Sequence, residues 1–535
     1  MDRAFDDFAQ RNLPPREQWP DLIFTLPELQ FPARLNCVAR LLDAQVAAGR
    51  GDAPCVIGAD ESLTYRQFQE RVDRIAFTLV ERLGMARGGR VLIRGSNSPM
   101  MLAAILAVMK AGGIAVPTMA MLRARELAYP IAKAGVPLAL CEAGLAEALR
   151  EAQAMAPVLT RIVTWGPDGG GELEAMMAAA PATYPAADTA SDEVCLIGFT
   201  SGTTGVPKGA MHFHREMIAT CETFARHVLE PRASDRFIGS APLAFTFGFG
   251  GHALFPLWAG ASTVLIGRAG PDDLLGAIPT YGATVVFTAP TAYRAMLAKL
   301  PAGGFPSLRV CVSAGETLPA ATFEAWRAAT GISILDGLGS TEMLHIFIGS
   351  RPADMRAGAT GRAVAGYEAR IVDADGAPVA DGTPGRLAVR GPTGCKYLAD
   401  ARQSVYVQRG WNITGDTYVR DADGYFHYQA RSDDMIVSSG YNIGGPEVEA
   451  ALLLHEAVAE CAVIGWPDAD RGTVVKAFVV LREGFTGDAA MVRGLQEHAK
   501  AVIAPYKYPR AIEFREALPK TPTGKLQRFR LRDGA

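Results

Sequence analysis

The stretch "TSGTTGVPKG", Thr200 to Gly209, carries the densest chemical signal in the chain. Its eight residues from Thr200 to Pro207 include two Gly, three Thr and one Ser, with an apolar run just ahead and Lys208 just behind. Glycine and small hydroxyl residues at that density make a loop with open backbone N–H groups and hydroxyl donors, which suits a polyphosphate. Thr200, Ser201, Gly202, Thr203 and Thr204 are the candidate donors, and Lys208 adds a positive point charge. The spacing is not G-x-x-x-x-G-K-[ST], so this is not the common NTPase loop. Two further segments pair small residues with acids: Ser313 to Glu316 ("SAGE") and Asp336 to Glu342 ("DGLGSTE"). His212 and His214, two apart, would share one face of a strand as a metal pair does. No third ligand is nearby in sequence, so packing is their expected role.

These segments need a frame, and the surrounding pattern is α/β. "RVLIRG", "VVFTAP", "RVCVSAG" and "ISILDGLG" are short β-rich runs ending in small or turn residues. Between them lie helical stretches such as "PTAYRAMLAKL" and "LPAATFEAWRAATG". Strand, loop, helix, strand predicts parallel sheets covered by helices, with ligand loops at the C-terminal ends of the strands. All three candidate segments fall at that position. From about Gly361 the chain alternates and is rich in Gly, Pro and Asp, as an antiparallel β unit is. A last segment, from "ARSDDMIVSSGYNI" onward, reads as a small α+β domain of roughly one hundred residues.

Composition bounds the function. A chain of 535 residues is too long for one core. Lys and Arg number 53 against 56 Asp and Glu, which gives no basic surface for nucleic acid or an anionic membrane. The eight cysteines are scattered singly with no C-x-x-C pair, as in a reducing, cytoplasmic protein. The N-terminus has acids and no apolar signal core, so no secretion signal is expected. The most apolar run, Met101 to Pro117, is interrupted by Lys110 and Gly112-Gly113. It predicts a buried helix followed by a strand rather than a membrane span.

"TSGTTGVPKG", "GSTE" (Gly339 to Glu342), "TGD" (Thr414 to Asp416), "RSDDMIVSSGYNI" and "PKTPTGK" (Pro519 to Lys525) occur in that order. Together they resemble the acyl-adenylate-forming, AMP-binding superfamily over nearly the whole chain. "GSTEMLHIFI" and "SAGE" resemble its benzoate-CoA ligase group. "PLAFTFGFGG", "MHFHRE" and the opening segment are most similar to 2-aminobenzoate-CoA ligases.

The resemblance implies an α/β fold: a large N-terminal domain of helix-covered parallel sheets plus a β-barrel-like unit (1–432), and a small mobile α+β C-terminal domain (433–535). It implies an ATP- and Mg2+-dependent acid–thiol ligase that makes an acyl-AMP and passes the acyl group to coenzyme A. The resemblance gives the Gly/Ser/Thr loop to the β- and γ-phosphates, Glu342 to the metal and Thr341 to the α-phosphate. It gives Gly315, Glu316, Asp336, Gly337, Asp416 and Arg431 to the nucleotide. Lys525 would stabilise charge at adenylation, Asp433 would be the hinge, and Gly440 and Tyr441 would form the loop that replaces Lys525 after the small domain rotates. The sequence around Lys525 also resembles a lysine acetyltransferase target. The acyl pocket is expected among Phe245, Thr246, Phe247, Ala314, Gly339, His345, Ile346 and Arg351, with His345 either facing the pocket or packed as a core residue.

One departure narrows the substrate. Many relatives carry a histidine in "P-L-x-H-x-x-G", where this chain has Phe245. No histidine there can pair with the carboxylate, which disfavours an acetyl-specific enzyme and favours an aromatic-walled slot. The expected function is an aromatic carboxylate-CoA ligase, most consistent with 2-aminobenzoate. The alternatives are a benzoate or substituted-benzoate ligase, transfer to a carrier-protein pantetheine (disfavoured, since no carrier domain follows Ala535), a luciferase-like oxygenase, and a non-catalytic adenylate-binding scaffold. The sequence leaves the oligomeric state open.

Overall fold

The helix Pro99–Lys110 begins where the sequence says a helix should, with Ser98 accepting the Met101 N–H at 3.2 Å and proline in the first turn. It is apolar all round and buried on every side, so it sits inside the first domain core rather than on a surface. Gly112, at φ +74°, turns the chain into the strand Ile114–Met119. The buried Lys110 ammonium is neutralised by Asp43 at 2.8 Å and by Asp73. Across the computed structural model the described residues are 5–166, 170–200, 206–267, 269–301, 304–431, 434, 436–438, 441–468, 472–503, 505–520 and 526–532.

Two large sheets carry the candidate segments. One has six strands in the order Arg161–Trp165, Leu138–Glu142, Arg90–Gly95, Ile114–Met119, Val194–Thr200 and Lys208–Phe213. The other has nine, with Arg236–Gly239, Val285–Thr288, Val310–Ala314 and Ile334–Gly339 adjacent and parallel near one side. Both are mixed rather than purely parallel. In the first, Lys208–Phe213 runs antiparallel to Val194–Thr200, with Thr200 opposite Lys208. The Gly/Ser/Thr segment therefore joins a hairpin rather than leading from strand to helix.

The third sheet is antiparallel, with Glu368–Val372, Gly385–Arg390, Trp411–Arg420 and Val407–Gln408 in order and Phe426–Arg431 paired to Trp411–Arg420. It is the β unit read from the alternation after Gly361. The C-terminal segment forms a three-stranded sheet, Val458–Asp468, Gly472–Leu481 and Ala511–Phe514, with the helices Gly445–Leu453 and Ala489–Val502. It has its own core, in which Val448, Leu452, Val463, Val475 and Leu495 are buried together. Among the described residues no helix is long and apolar enough to cross a membrane. The cysteines are free; seven are buried and Cys461 is half-buried.

Candidate functional site

The strand Val194–Thr200, one strand in from the sheet edge, gathers the first group of candidates. A Cβ on Gly198 would lie 2.9 Å from Thr341 Cγ2 and 3.9 Å from Thr246 Cγ2. The missing side chain is what lets Thr341 and Thr246 close on the same strand. Thr200 Oγ1 is buried with no hydrogen-bond partner among the described residues. Lys208 Nζ stands 3.8 Å from Glu342 Oε1 and 4.9 Å over the Tyr397 ring. Tyr397 also donates its hydroxyl to Glu342 Oε1 at 2.5 Å. Ser201, Gly202, Thr203 and Thr204 lie outside the described residues.

The segment Gly339 to Leu344 is held in a sharp turn. Leu344 has φ +69° and ψ −42°, near the strained γ-turn region that side-chain-bearing residues avoid. Such a residue costs on the order of 1–3 kcal/mol and persists only where its neighbours fix it. They do so here. Ser340 Oγ accepts the Met343 N–H at 3.3 Å, Thr393 donates to the Met343 carbonyl at 2.8 Å, and His212 Nε2 lies 2.7 Å from the Thr341 carbonyl. His212 in turn meets Glu216, and Glu216 meets Lys396, all three fully buried. Sequence reading missed Glu216 and Lys396. Glu216 had a local signal, four residues after His212, whereas Lys396 comes from far along the chain.

The two histidines part. His212 lies at the turn, while His214 Nδ1 accepts the Cys37 N–H at 3.2 Å and lies 3.1 Å from Cys37 Sγ. Cys195 completes a buried group with ligand atoms within 4.8 Å of one another. The Nδ1 lone pair is already engaged by the Cys37 backbone, so the cluster reads as packing.

On the neighbouring strands, Asp336 is buried and its Oδ1 has no hydrogen-bond partner among the described residues. Burial pushes its carboxyl up to about 7, against the pull of Ser313, which faces it across the strand pair. Gly337 lies against Ile346, whose Cδ1 would be 2.6 Å from a Cβ there. Gly315 has φ +90° at the exposed end of its strand, and Glu316 is half-buried. Asp416 is buried, and its backbone is in register with that of Arg431. The side chains of Arg431 and Tyr441, and the whole of Asp433, Gly440 and Lys525, lie outside the described residues.

The second group is a ring cluster. His345, only 2% exposed, has its centroid 4.6 Å from Phe255, 5.3 Å from Phe224, 5.8 Å from Phe247 and 6.4 Å from Phe287. Gly250 makes the room, since a Cβ there would lie 2.2 Å from His345 Cδ2. Neither ring nitrogen has a partner among the described residues. His345 is thus a packed histidine and a neighbour of Phe247 at once. Phe245, Thr246 and Phe247 are half-buried at the start of the short helix Thr246–Phe249. Gly339 pairs with Ile346, and Ala314 with Gly337, so these small residues border the same strand ends. Arg351 does not join the cluster. Its side chain is about half exposed, donates to the His227 carbonyl at 3.1 Å and pairs with Glu230 at 3.2 Å.

Burial pushes the His345 imidazole down to about 3 and that of buried His252 to about 4. Both values lie below the ordinary histidine value of about 6.5, so as pH falls from there the unfolded chain binds protons that the folded chain refuses. Stability is therefore present above that value and lost toward acid. At pH 5 each ring costs about 2 kcal/mol relative to neutral pH. His345→Leu should narrow the gap between the thermal unfolding midpoints at pH 7.5 and pH 5; an unchanged gap would rule out a neutral buried His345.

Comparison with known proteins shows the family of the chain. Residues 43–397 match the family described as AMP-binding enzyme, and residues 447–525 match its C-terminal domain. The chain is 37% identical to a benzoate–CoA ligase of Thauera aromatica, covering 95% of this chain and 98% of that one. It is similar to the solved structure of the anthranilate CoA ligase AuaEII in complex with anthranoyl-AMP. Identity there is 35% and the TM-score 0.90, covering 95% of this chain and 99% of that one. A benzoate CoA ligase from Burkholderia xenovorans LB400 aligns with a TM-score of 0.86 at 32% identity, covering 93% and 100%. The chain belongs to the AMP-binding enzyme family, with that family's C-terminal domain, and is an AMP-forming acid–thiol ligase.

Proposed function

We propose that this enzyme uses ATP to activate an aromatic carboxylate as its acyl-AMP and transfers the acyl group to coenzyme A, with 2-aminobenzoate preferred over benzoate. The observation that carries this reading is the ring cluster beside Thr246 and Thr341: Phe247, Phe255 and Phe287 around a histidine that burial keeps uncharged. Such walls suit an aryl ring, whose face and edge pack against other rings at defined angles. The similarity to an anthranilate CoA ligase solved with anthranoyl-AMP supports the amino preference.

In this reading Thr200 and the Gly/Ser/Thr loop, with Lys208, hold the β- and γ-phosphates, and Thr341 donates to the α-phosphate. Asp336 offers its unpartnered oxygen to an N–H donor of the purine, and Asp416 accepts from the ribose hydroxyls. Glu342 fits the metal role, because one buried carboxylate beside phosphate oxygens is what Mg2+ uses. Bound Mg2+ would neutralise phosphate charge, which also frees Lys208 from Glu342. Carboxylate attack on the α-phosphate is then a matter of placement and charge stabilisation. Thr246 is the candidate partner for an amino group beside the carboxylate, and Arg351 would act at most from the rim. We place the enzyme in the cytoplasm and divide it functionally at residues 432 and 433.

Pyrophosphate release with Mg2+ and a panel of acids tests the proposal. 2-Aminobenzoate should lead benzoate by about tenfold in kcat/KM, the value of one hydrogen bond of about 1.4 kcal/mol. 4-Hydroxybenzoate should follow, and octanoate should be poor. ADP in place of AMP would refute the adenylate, octanoate in first place would refute the aryl assignment, and benzoate in first place would refute only the amino preference.

A further inference from the structure

The buried group behind the Thr341 turn has a hydrogen-bond arithmetic of its own. His212 Nε2 lies 2.7 Å from the Thr341 carbonyl, an atom that can only accept. His212 Nδ1 lies 2.9 Å from Glu216 Oε2. Glu216 is held as a carboxylate: Oε2 also accepts the Phe213 N–H at 3.3 Å, and Oε1 accepts the Lys396 ammonium at 2.5 Å. Lys396 gives a second hydrogen bond to the Gly394 carbonyl at 2.7 Å and faces the Phe213 ring at 4.7 Å. All three side chains are fully buried.

Both ring nitrogens of His212 therefore face acceptors, and a neutral imidazole has only one N–H to offer. A ring that donates on both sides would carry two protons, and with Lys396 and Glu216 would make a buried group of net charge +1. An unpaired buried charge is costly, and this one would be offset by the Thr341 carbonyl dipole and by an anion bound on the far side of the turn. That side carries Thr341 and Glu342, where the proposed function places the triphosphate.

We propose that His212 is a positioning residue of the adenylation step: doubly protonated, oriented by Glu216 and Lys396, it fixes the Thr341 carbonyl and with it the Thr341 hydroxyl and the Glu342 carboxylate. This rests on the adenylating reading for its consequence, while the state of the ring can be read without any turnover. Lys396 supplies the charge that keeps Glu216 an acceptor. It adjoins Tyr397, which donates to Glu342, so one short segment supports both faces of the turn.

The test has two arms. In protein labelled with 15N-histidine at pH 7.5, the His212 ring, assigned by its loss in His212→Gln, should show two protonated nitrogens. One bare nitrogen would overturn the proposal whatever the enzyme's substrate. In the kinetic arm, His212→Gln keeps a donor near Thr341 without the charge, and His212→Phe keeps only the ring. Adenylation, followed as pyrophosphate release, should fall about 100-fold in kcat for His212→Phe and less for His212→Gln, with KM for the acid nearly unchanged. Thioester formation from supplied acyl-AMP should be spared in both. An unchanged kcat in a folded variant, or equal loss of both half-reactions, would reduce His212 to a structural residue. If the wild-type enzyme released no pyrophosphate with any acid, the adenylating reading would fail while the labelled-ring result stood.

Discussion

Lys525→Ala should abolish acyl-AMP formation, by at least about 100-fold, and leave thioester formation from supplied acyl-AMP nearly intact. Loss of one donor aimed at developing charge costs that much in a preorganised site. The expectation comes from "PKTPTGK", since Lys525 is outside the described residues. Its mirror is Asp433→Pro, which should spare adenylation and block thioester formation. Proline fixes φ near −65° and removes an N–H at the position where the small domain would pivot between the Lys525 face and the Gly440–Tyr441 face. Separate assays of the two half-reactions decide the matter. Equal losses in both reactions for both variants would contradict a two-conformation cycle.

Gly250→Ala should cost both stability and activity through the ring cluster around His345. The added Cβ would lie 2.2 Å from His345 Cδ2, 2.4 Å from Nε2 and 3.1 Å from a Phe255 ring carbon. His345 cannot swing away cheaply, because Phe224, Phe247, Phe255 and Phe287 surround it. Overpacking of that kind costs about 1–3 kcal/mol, and a ring displaced by about 1 Å beside the reacting groups costs about 100-fold in rate. The loss should appear in kcat/KM for the aromatic acid and not in KM for ATP. His345→Ala in the same chain should restore much of the stability, since the two changes share one contact. Gly276→Ala is the control: it lies within the helix Pro271–Tyr281 with nothing within 4 Å of its Cβ. It should be neutral or slightly stabilising. Wild-type stability and activity in Gly250→Ala would show that the cluster is loosely packed and sets no specificity.

The elements most legible in the sequence were those whose signals are local. The strands Arg90–Gly95 and Ile334–Gly339 and the helix Ala320–Thr330 follow from apolar runs that end in turn residues. The same holds for the buried helix Pro99–Lys110, whose serine cap, proline and Gly112 stop are all within fifteen residues. Motif order over the whole chain identified the family, and Phe245 in place of a histidine was read as favouring an aromatic-walled slot. The direction of the strand Lys208–Phe213 was not legible, because antiparallel pairing depends on which edge of the sheet is free rather than on the strand's own residues. Nor was the surface position of Arg351, whose partners Glu230 and His227 lie more than a hundred residues earlier.

What only the tertiary structure decided is which polar groups meet in the dark. His212, Glu216 and Lys396 span 185 positions of chain, and nothing in the spacing of the lysine hints at the pair. Four phenylalanines and a histidine from separate elements become one wall because glycines at 250 and 251 let those elements approach. Local sequence sets backbone conformation through short-range sterics and periodic burial, so it can be read in place. A buried charge or a ring wall exists only once distant segments have excluded water together, and its energy belongs to the contact rather than to any one residue.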